Sequence, residues 1–213
     1  MLKKLLCLLV ITAATFTFYY PQSHAQESQS ISIASFNIQF LGHFKKKDNK
    51  ALASILKDYD IVVVQELVAP PTAGAYPDGS LYKLDSESAG FFNEMSGYGF
   101  DYVLSEEDTG TGDVIHKASS ATEWWVTFFK PDIVNVADDI PSGFLADDRS
   151  NHDMFERVPY AFAFRTNNNV MDFVLISVHL NPGKSKTDRD RREEELDAIA
   201  KWIDDNDEKE KDL

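Results

Sequence analysis

Four consecutive β-branched residues, at positions 61–64, stand directly before the polar pair Gln65-Glu66. A short apolar run of this kind is typical of a strand that is covered on both faces inside an α/β domain. We expect the strand to end at the polar pair, where a rigid scaffold can fix a carboxylate beside active-site loops. Glu66 is therefore a candidate metal ligand, although a glutamate there could also simply mark the exit of the strand into solvent.

An alternating segment at 31–38 precedes this run and predicts a first strand with Asn37 near its end. Between the two strands, Asp48 can cap a helix of about ten residues. The predicted buried face of this helix consists of Leu52, Ile55 and Leu56. Strand, helix and strand in this order favour a layered α/β domain.

The chain then continues with two irregular stretches and several shorter elements. Turn-rich residues 69–79 follow Glu66, and an acidic, glycine-containing stretch at 106–119 predicts a flap. Further predicted elements are a helix at 88–95 and strands at 102–105, 123–129 and 133–136.

A hairpin and a charged helix complete the pattern. Residues 159–165 and 170–180 flank a turn at 166–169, whose asparagines tolerate left-handed geometry, and the second strand is predicted to end at His179. Residues 187–204 are predicted to form a strongly charged helix. Its apolar stripe consists of Leu196, Ile199, Ala200 and Ile203.

The beginning of the chain has the pattern of a secretory leader. Lys3-Lys4 precede an apolar run at 5–19, and Ser23-His24-Ala25 supplies a small-x-small cleavage site. We predict a signal peptide at 1–25 and a secreted or periplasmic mature protein, with a retained membrane anchor as the alternative. Cleavage would remove Cys7, the one cysteine of the chain, so the mature protein would contain no disulfide.

The charge of the chain limits the partners that it can attract. The 213 residues carry a formal net charge of −14, and residues 26–213 suit one domain with a sizeable core. A protein this acidic would bind a nucleic-acid or phosphate substrate only through a local basic lip and divalent cations. Ion pairs along the last helix would account for Arg189–Arg192 equally well. The candidate lip residues are Lys45, Lys46, Lys47, Lys184, Lys186, Arg189, Arg191 and Arg192.

Residues that could take part in catalysis or metal binding stand at the ends of several predicted strands. Asn37, Glu66 and His179 end strands, and Glu123 opens another. A metal-binding carboxylate and a positioned histidine suit metal-assisted hydrolysis of a phosphate ester. None of these residues is specific alone, because a histidine or an exposed glutamate more often has a structural role.

Five segments, in order, resemble the motifs of the endonuclease/exonuclease/phosphatase superfamily, most closely its DNase I-like branch. They are Ala34–Gln39, Val64–Glu66, Thr122–Asp132, Phe155–Pro159 and Ser177–Pro182. Each motif is weak by itself, but five in this order make a rather specific combination. The resemblance implies an α/β (α+β) fold, a four-layer sandwich with two facing sheets, over about residues 31–203 of the chain.

The resemblance also implies a Mg²⁺-dependent site, with Mn²⁺ or Ca²⁺ as alternatives. Glu66 would bind the cation, and Asn37 would stand beside it at the metal and the scissile phosphate. His179 would be a catalytic histidine at the phosphate or the leaving oxygen, and Glu123 would orient its ring. The residues implied to contact substrate are Arg157, Asn181 and Lys184.

The sequence departs from the family pattern in two ways. Gln39 and Val68 stand where DNase I-like nucleases often carry arginines, which weakens the case for duplex DNA. The Gly-Asp-x-Asn and Ser-Asp-His motifs of the family do not follow His179. We therefore expect the N-terminal part of a DNase I-like domain, with little or no hydrolysis by the 213-residue chain alone.

The predicted function is that of an exported Mg²⁺-dependent phosphodiester hydrolase, in the first place a nuclease acting on nucleic acid. A phosphomonoesterase or a lipid-headgroup phosphodiesterase on the same scaffold is an open alternative. So is an exported binding module without catalysis. The sequence does not predict the oligomeric state.

Overall fold

The computed structural model of the chain describes residues 30–43, 46–110, 122–146 and 154–210. Ile31–Leu213 form one compact unit. The predicted signal peptide at 1–25, Lys45 of the predicted lip, and most of the predicted flap at 106–119 lie outside the described residues.

The described residues form a mixed α/β structure, as predicted. The helices are α1 (Asn49–Leu56), α2 (Ser86–Gly97) and α3 (Lys186–Glu210). The strands are β1 (Ile33–Leu41), β2 (Ile61–Leu67), β3 (Gly74–Ala75), β4 (Leu81–Tyr82), β5 (Asp101–Leu104), β6 (Trp124–Phe129), β7 (Val134–Val136), β8 (Gly143–Phe144), β9 (Tyr160–Thr166) and β10 (Asp172–Ser177).

Two sheets carry most of the strands. The first has the order β1-β2-β6-β5, with β1 and β2 parallel and the other pairs antiparallel. The second has the order β10-β9-β7, and β8 also pairs with β9. A small hairpin pairs β3, in the predicted turn-rich stretch at 69–79, with β4, which follows that stretch. The predicted strand, helix and strand unit is confirmed, because α1 connects the parallel strands β1 and β2.

Three apolar clusters show which elements pack together. One joins β1, β2 and β6 to α1 and α2, through residues such as Val62, Phe91 and Phe128. A second contains residues of both large sheets, among them Trp125 and Phe162. A third joins the second sheet to α3. The run at 61–64 is buried throughout, as the sequence predicts for a strand covered on both faces.

The first helix confirms its predicted cap and corrects its predicted buried face. Asp48 accepts the N–H of Ala51 at the start of α1. Leu56 is buried as predicted, but Ile55 is 64% exposed, and Ala53 is buried in its place. Ala53 lies on the face of α1 that points to the core. Its small side chain allows the neighbouring helix α2 to approach closely.

The last helix corrects the prediction more strongly. Leu196 and Ile203 are about half exposed, and Ala200 is exposed. Ile199 does pack against the third cluster, together with Ala198 and Trp202. The buried side of α3 also contains a carboxylate, because Glu195 is 1% exposed. Among the described residues, no helix is both long enough and apolar enough to cross a membrane.

Candidate functional site

Glu66 lies in a local distortion at the end of β2. The strand continues to Leu67, so Glu66 lies within it, whereas the sequence predicted the end of the strand there. The backbone of Glu66 is left-handed, with φ of 65°, and the pairing of β2 with β6 shifts between Val64 and Leu67. Such a β-bulge re-aims a side chain and removes a residue from the regular ladder. A left-handed non-glycine residue costs free energy, and such strain clusters at functional sites.

A second distortion stands beside the first. The pairing of β1 with β2 shifts between Asn37 and Leu41, and Gln39 and Phe40 both have positive φ. The N–H of Phe40 donates to Oε2 of Glu66 at 3.2 Å. Asn37 donates through Nδ2 to Oε1 of Glu66 at 2.6 Å. The predicted pair of Asn37 and Glu66 is therefore in contact, and the carboxylate is fixed from two directions.

Glu123 connects this pair to the histidine. Its side chain is 2% exposed and lies directly before β6. Oε2 of Glu123 accepts the N–H of Glu66 at 2.6 Å, which is the N–H that the bulge withdraws from the ladder. Oε1 lies 2.8 Å from Nδ1 of His179. Glu123 thus holds the backbone of one site residue and the ring of another.

This contact determines which nitrogen of His179 is available. A carboxylate can only accept hydrogen bonds, so Nδ1 carries the proton that points at Glu123. The other nitrogen, Nε2, lies 4.0 Å from Oε1 of Glu66. Nε2 of His179, which is available to a substrate, therefore lies next to Glu66, the candidate metal ligand. The side chain of His179 is 27% exposed, so solvent and small ligands can reach it.

Arg157 is a buried residue that also contacts Glu123. Its side chain is 9% exposed, and Nε stands 3.2 Å from Oε1 of Glu123, close enough for an ion pair but not aligned as a hydrogen bond. Nη1 is buried without a hydrogen-bond partner among the described residues. A buried guanidinium with an unused donor is suited to an anion or a water molecule at this position.

His179 itself lies in a loop. The strand β10 ends at Ser177, two residues before His179, so the predicted end of the strand at the histidine is wrong. Asn181 and Lys184, the other predicted substrate contacts, follow in the same loop. Nδ2 of Asn181 donates to the carbonyl of Pro182 at 3.0 Å. Lys184 is exposed, and its carbonyl accepts from Nη1 of Arg189 at 2.8 Å.

The candidate lip residues on α3 are engaged with nearby groups. Lys186 pairs with Asp190 at 2.6 Å, and Arg191 pairs with Glu194 at 3.5 Å. Arg192 donates to the carbonyls of Asn181 and Gly183. Arg191 thus follows the ion-pair alternative, whereas Arg192 is held by backbone carbonyls and has no carboxylate partner among these contacts. The two ion pairs reduce the positive charge that the helix can offer to a polyanion.

An aromatic cluster adjoins Glu123 on the first sheet. Tyr76 stacks on Trp124 with 5.8 Å between ring centroids, and Tyr82 packs edge-on against both rings. Burial, followed by the charge of Asp108, raises the pKa of Tyr76 to about 12. The phenol is therefore neutral at physiological pH. Apart from the motif residue Trp124, no pattern in the sequence predicts this cluster.

The site opens on a cleft between the two sheets, with a volume of about 470 Å³. Its polar lining includes Asn37, Gln65 and His179, and the apolar residues come from β1, β2, β10 and the segment after β10. No group of three or more His, Cys, Asp or Glu residues that could hold a metal occurs in the described part of the chain. Glu66 and Asn37 still fit Mg²⁺, which is often held by one carboxylate, several waters and substrate phosphate.

Comparison with known proteins gives a fold but no family. No protein-family model matches the sequence, and no curated protein matches it at a significant level. Among solved structures, a functionally unknown conserved protein from Enterococcus faecalis V583 is similar over 83% of this chain and 62% of its own, with a TM-score of 0.50 and 13% identity.

The catalytic domain of human Nocturnin, solved with a bound sulfate anion, is similar over 83% of this chain and 59% of its own, with a TM-score of 0.51 and 18% identity. ANGEL2, a 2′,3′-cyclic phosphatase, gives a TM-score of 0.47, which is too low to support a conclusion. The chain thus spans about three fifths of the first two structures, at 62% and 59%. The likeness shows a shared fold, and the DNase I-like branch stays a prediction.

Proposed function

We propose that the chain carries the metal-binding and histidine side of a phosphoester hydrolase of the endonuclease/exonuclease/phosphatase superfamily. The observation that carries this proposal is the position of Glu123, which accepts the N–H of Glu66 and the Nδ1–H of His179 with its two oxygens. A fold shared with the catalytic domain of Nocturnin, which was solved with sulfate, an anion shaped like a phosphate group, supports it.

Each residue has a role in this proposal. Glu66 holds a Mg²⁺ ion, and Asn37 keeps that carboxylate in place. The ion would offset charge on the phosphoryl oxygens. His179, with its proton at Nδ1, presents Nε2 to a phosphate or leaving oxygen. Arg157 compensates the buried charge of Glu123 and directs its remaining donors toward the anion.

The described residues give the cation a single carboxylate in this network. We therefore propose weak cation binding and slow turnover by the 213-residue chain. We also propose the predicted arrangement of four layers, the signal peptide at 1–25, and export. The first cluster packs against α1 and α2, the second joins the two sheets, and the third packs against α3, which supports the layers; the leader pattern supports export.

A small phosphoester is a second candidate substrate beside nucleic acid. Two of the cations that could contact a long backbone are paired, Lys186 with Asp190 and Arg191 with Glu194. Since affinity for nucleic acid depends mainly on phosphate contacts by Lys and Arg, this pairing favours a small diester or a lipid headgroup over a duplex.

The experiment is a hydrolysis assay with bis(p-nitrophenyl) phosphate, plasmid DNA, RNA and phospholipid vesicles, each with Mg²⁺ or with EDTA. We expect slow hydrolysis of at least the activated diester. It should be lost in EDTA and should fall by about 100-fold or more in His179→Ala. Glu193→Gln, an exposed position on α3, is the control. Hydrolysis that persists unchanged in EDTA, or in His179→Ala, would contradict the proposal.

A further inference from the structure

Helix α3 contains one buried carboxylate in its otherwise solvated acidic stretch. Glu193 and Glu194 are exposed, whereas Glu195 is 1% exposed. Burying a carboxylate costs free energy unless hydrogen bonds satisfy it. The contacts that satisfy Glu195 therefore indicate why it is there.

Glu195 accepts one hydrogen bond with each of its oxygens. Oε1 accepts the N–H of Glu156 at 2.6 Å, and Oε2 accepts the N–H of Asn181 at 2.8 Å. One turn earlier on the helix, Arg192 donates to the carbonyls of Asn181 and Gly183 at 2.9 and 3.1 Å. The pair on α3 thus holds two loop segments that are distant in sequence.

Both segments carry a residue of the candidate site. Glu156 directly precedes Arg157, and Asn181 follows His179 by two residues. Arg157 and His179 meet at the same atom, Oε1 of Glu123, at 3.2 and 2.8 Å. A shift of either segment would therefore change the contacts of the other at Glu123.

We propose that Glu195 is a positioning residue, which sets the separation of Arg157 and His179 across Glu123. The proposal deepens the proposed function and rests on it for the role of His179. Only a carboxylate offers two acceptor oxygens to two converging N–H groups. Glutamine of the same size would turn an NH₂ donor toward one of these N–H groups. The segment of Glu156 or the segment of Asn181 would then lose its hydrogen bond to α3.

The test uses the full chain with ¹⁵N-labelled histidine and NMR detection of the ring nitrogens, with His179→Gln to assign the His179 signals. The variants are Glu195→Gln and, as a matched control with the same change of charge on an exposed position of the same helix, Glu193→Gln. Circular dichroism and thermal unfolding report whether each variant is folded.

We expect wild type and Glu193→Gln to show His179 with its proton on Nδ1. Glu195→Gln should show a mixture of tautomers, and its kcat for the activated diester should fall by about 10-fold with little change in KM. A folded Glu195→Gln with wild-type His179 signals would overturn the proposal, even if its thermal stability falls. Because the NMR signal does not depend on turnover, hydrolysis that persists in EDTA would count against the proposed function alone.

A second variant covers the case in which Glu195→Gln does not fold. Arg192→Gln removes the contacts to the carbonyls of Asn181 and Gly183 and leaves the contact of Glu195 with Glu156. We expect it to release the His179 loop and to perturb the His179 tautomer as well. Unchanged signals in this variant would contradict the inference.

Discussion

Two segments bring the central residues to the site, and they differ in how they are held. Strand β2, which carries Glu66, has β1 on one side and β6 on the other, and its first four residues are buried. Strand β10, which precedes His179, pairs with β9 only among the described residues, and it is half-buried. The first segment is central in its sheet, and the second is at an edge.

The difference shows in what fixes each side chain. Glu66 is positioned by its own strand, whose bulge gives it a left-handed backbone and a place beside Asn37. His179 lies beyond its strand and is positioned by groups of other elements, Glu123 at its ring and Glu195 two residues later. The Glu66 side combines a buried central strand with hydrogen bonds to Asn37 and Glu123, whereas the His179 side lies outside the sheet and depends on hydrogen bonds of the buried Glu123 and Glu195.

Glu123 is the point where the two sides meet, so its removal should have the largest effect. Glu123→Ala would leave the Arg157 guanidinium buried without its partner, and breaking a buried pair in this way costs about 3–5 kcal/mol of unfolding free energy. Urea unfolding followed by tryptophan fluorescence would measure it.

A second change tests the cause of that loss. Replacing Arg157 by methionine in the Glu123→Ala background should recover part of the stability, because the unpaired charge is removed. A loss below about 1 kcal/mol in Glu123→Ala would show that the pair is effectively solvated, as surface pairs are.

Substitutions at Glu66 should change the stability in a different way, because the strain at Glu66 is confined to its own backbone. Glu66→Gly and Glu66→Ala both remove the carboxylate, but only glycine adopts a φ of 65° without a steric cost. We expect the glycine variant to be more stable than the alanine variant by about 1 kcal/mol. Equal stability in urea unfolding would indicate that the bulge relaxes once the side chain is lost.

Parts of this comparison could be predicted from the sequence. The β-branched run at 61–64, the cap at Asp48 and the hairpin around residues 166–169 carry strong local signals, and all are present in the structure. The resemblance named Asn37, Glu66, Glu123 and His179, and the structure brings these four residues into one hydrogen-bonded network.

Other features had no local signal. The left-handed backbone of Glu66 cannot be recognised in the sequence. The free energy that this conformation costs is offset by contacts with residues distant along the chain. The sequence pattern predicts Leu196 and Ile203 on the buried face of α3, because a glutamate such as Glu195 is normally solvent-exposed, whereas in the structure Glu195 is buried and both apolar residues are about half exposed. Glu195 becomes recognisable only when the segments of Glu156 and Asn181 are seen to converge on it.

We propose that Glu66 binds a divalent cation next to His179. Titration of ¹⁵N-histidine-labelled protein with Mn²⁺, a paramagnetic substitute for Mg²⁺, would detect such a site. We predict that the His179 signals broaden selectively, that excess Mg²⁺ restores them, and that Glu66→Gln abolishes the effect. Broadening of His179 that is the same in Glu66→Gln, or absent from the wild-type protein, would contradict the claim.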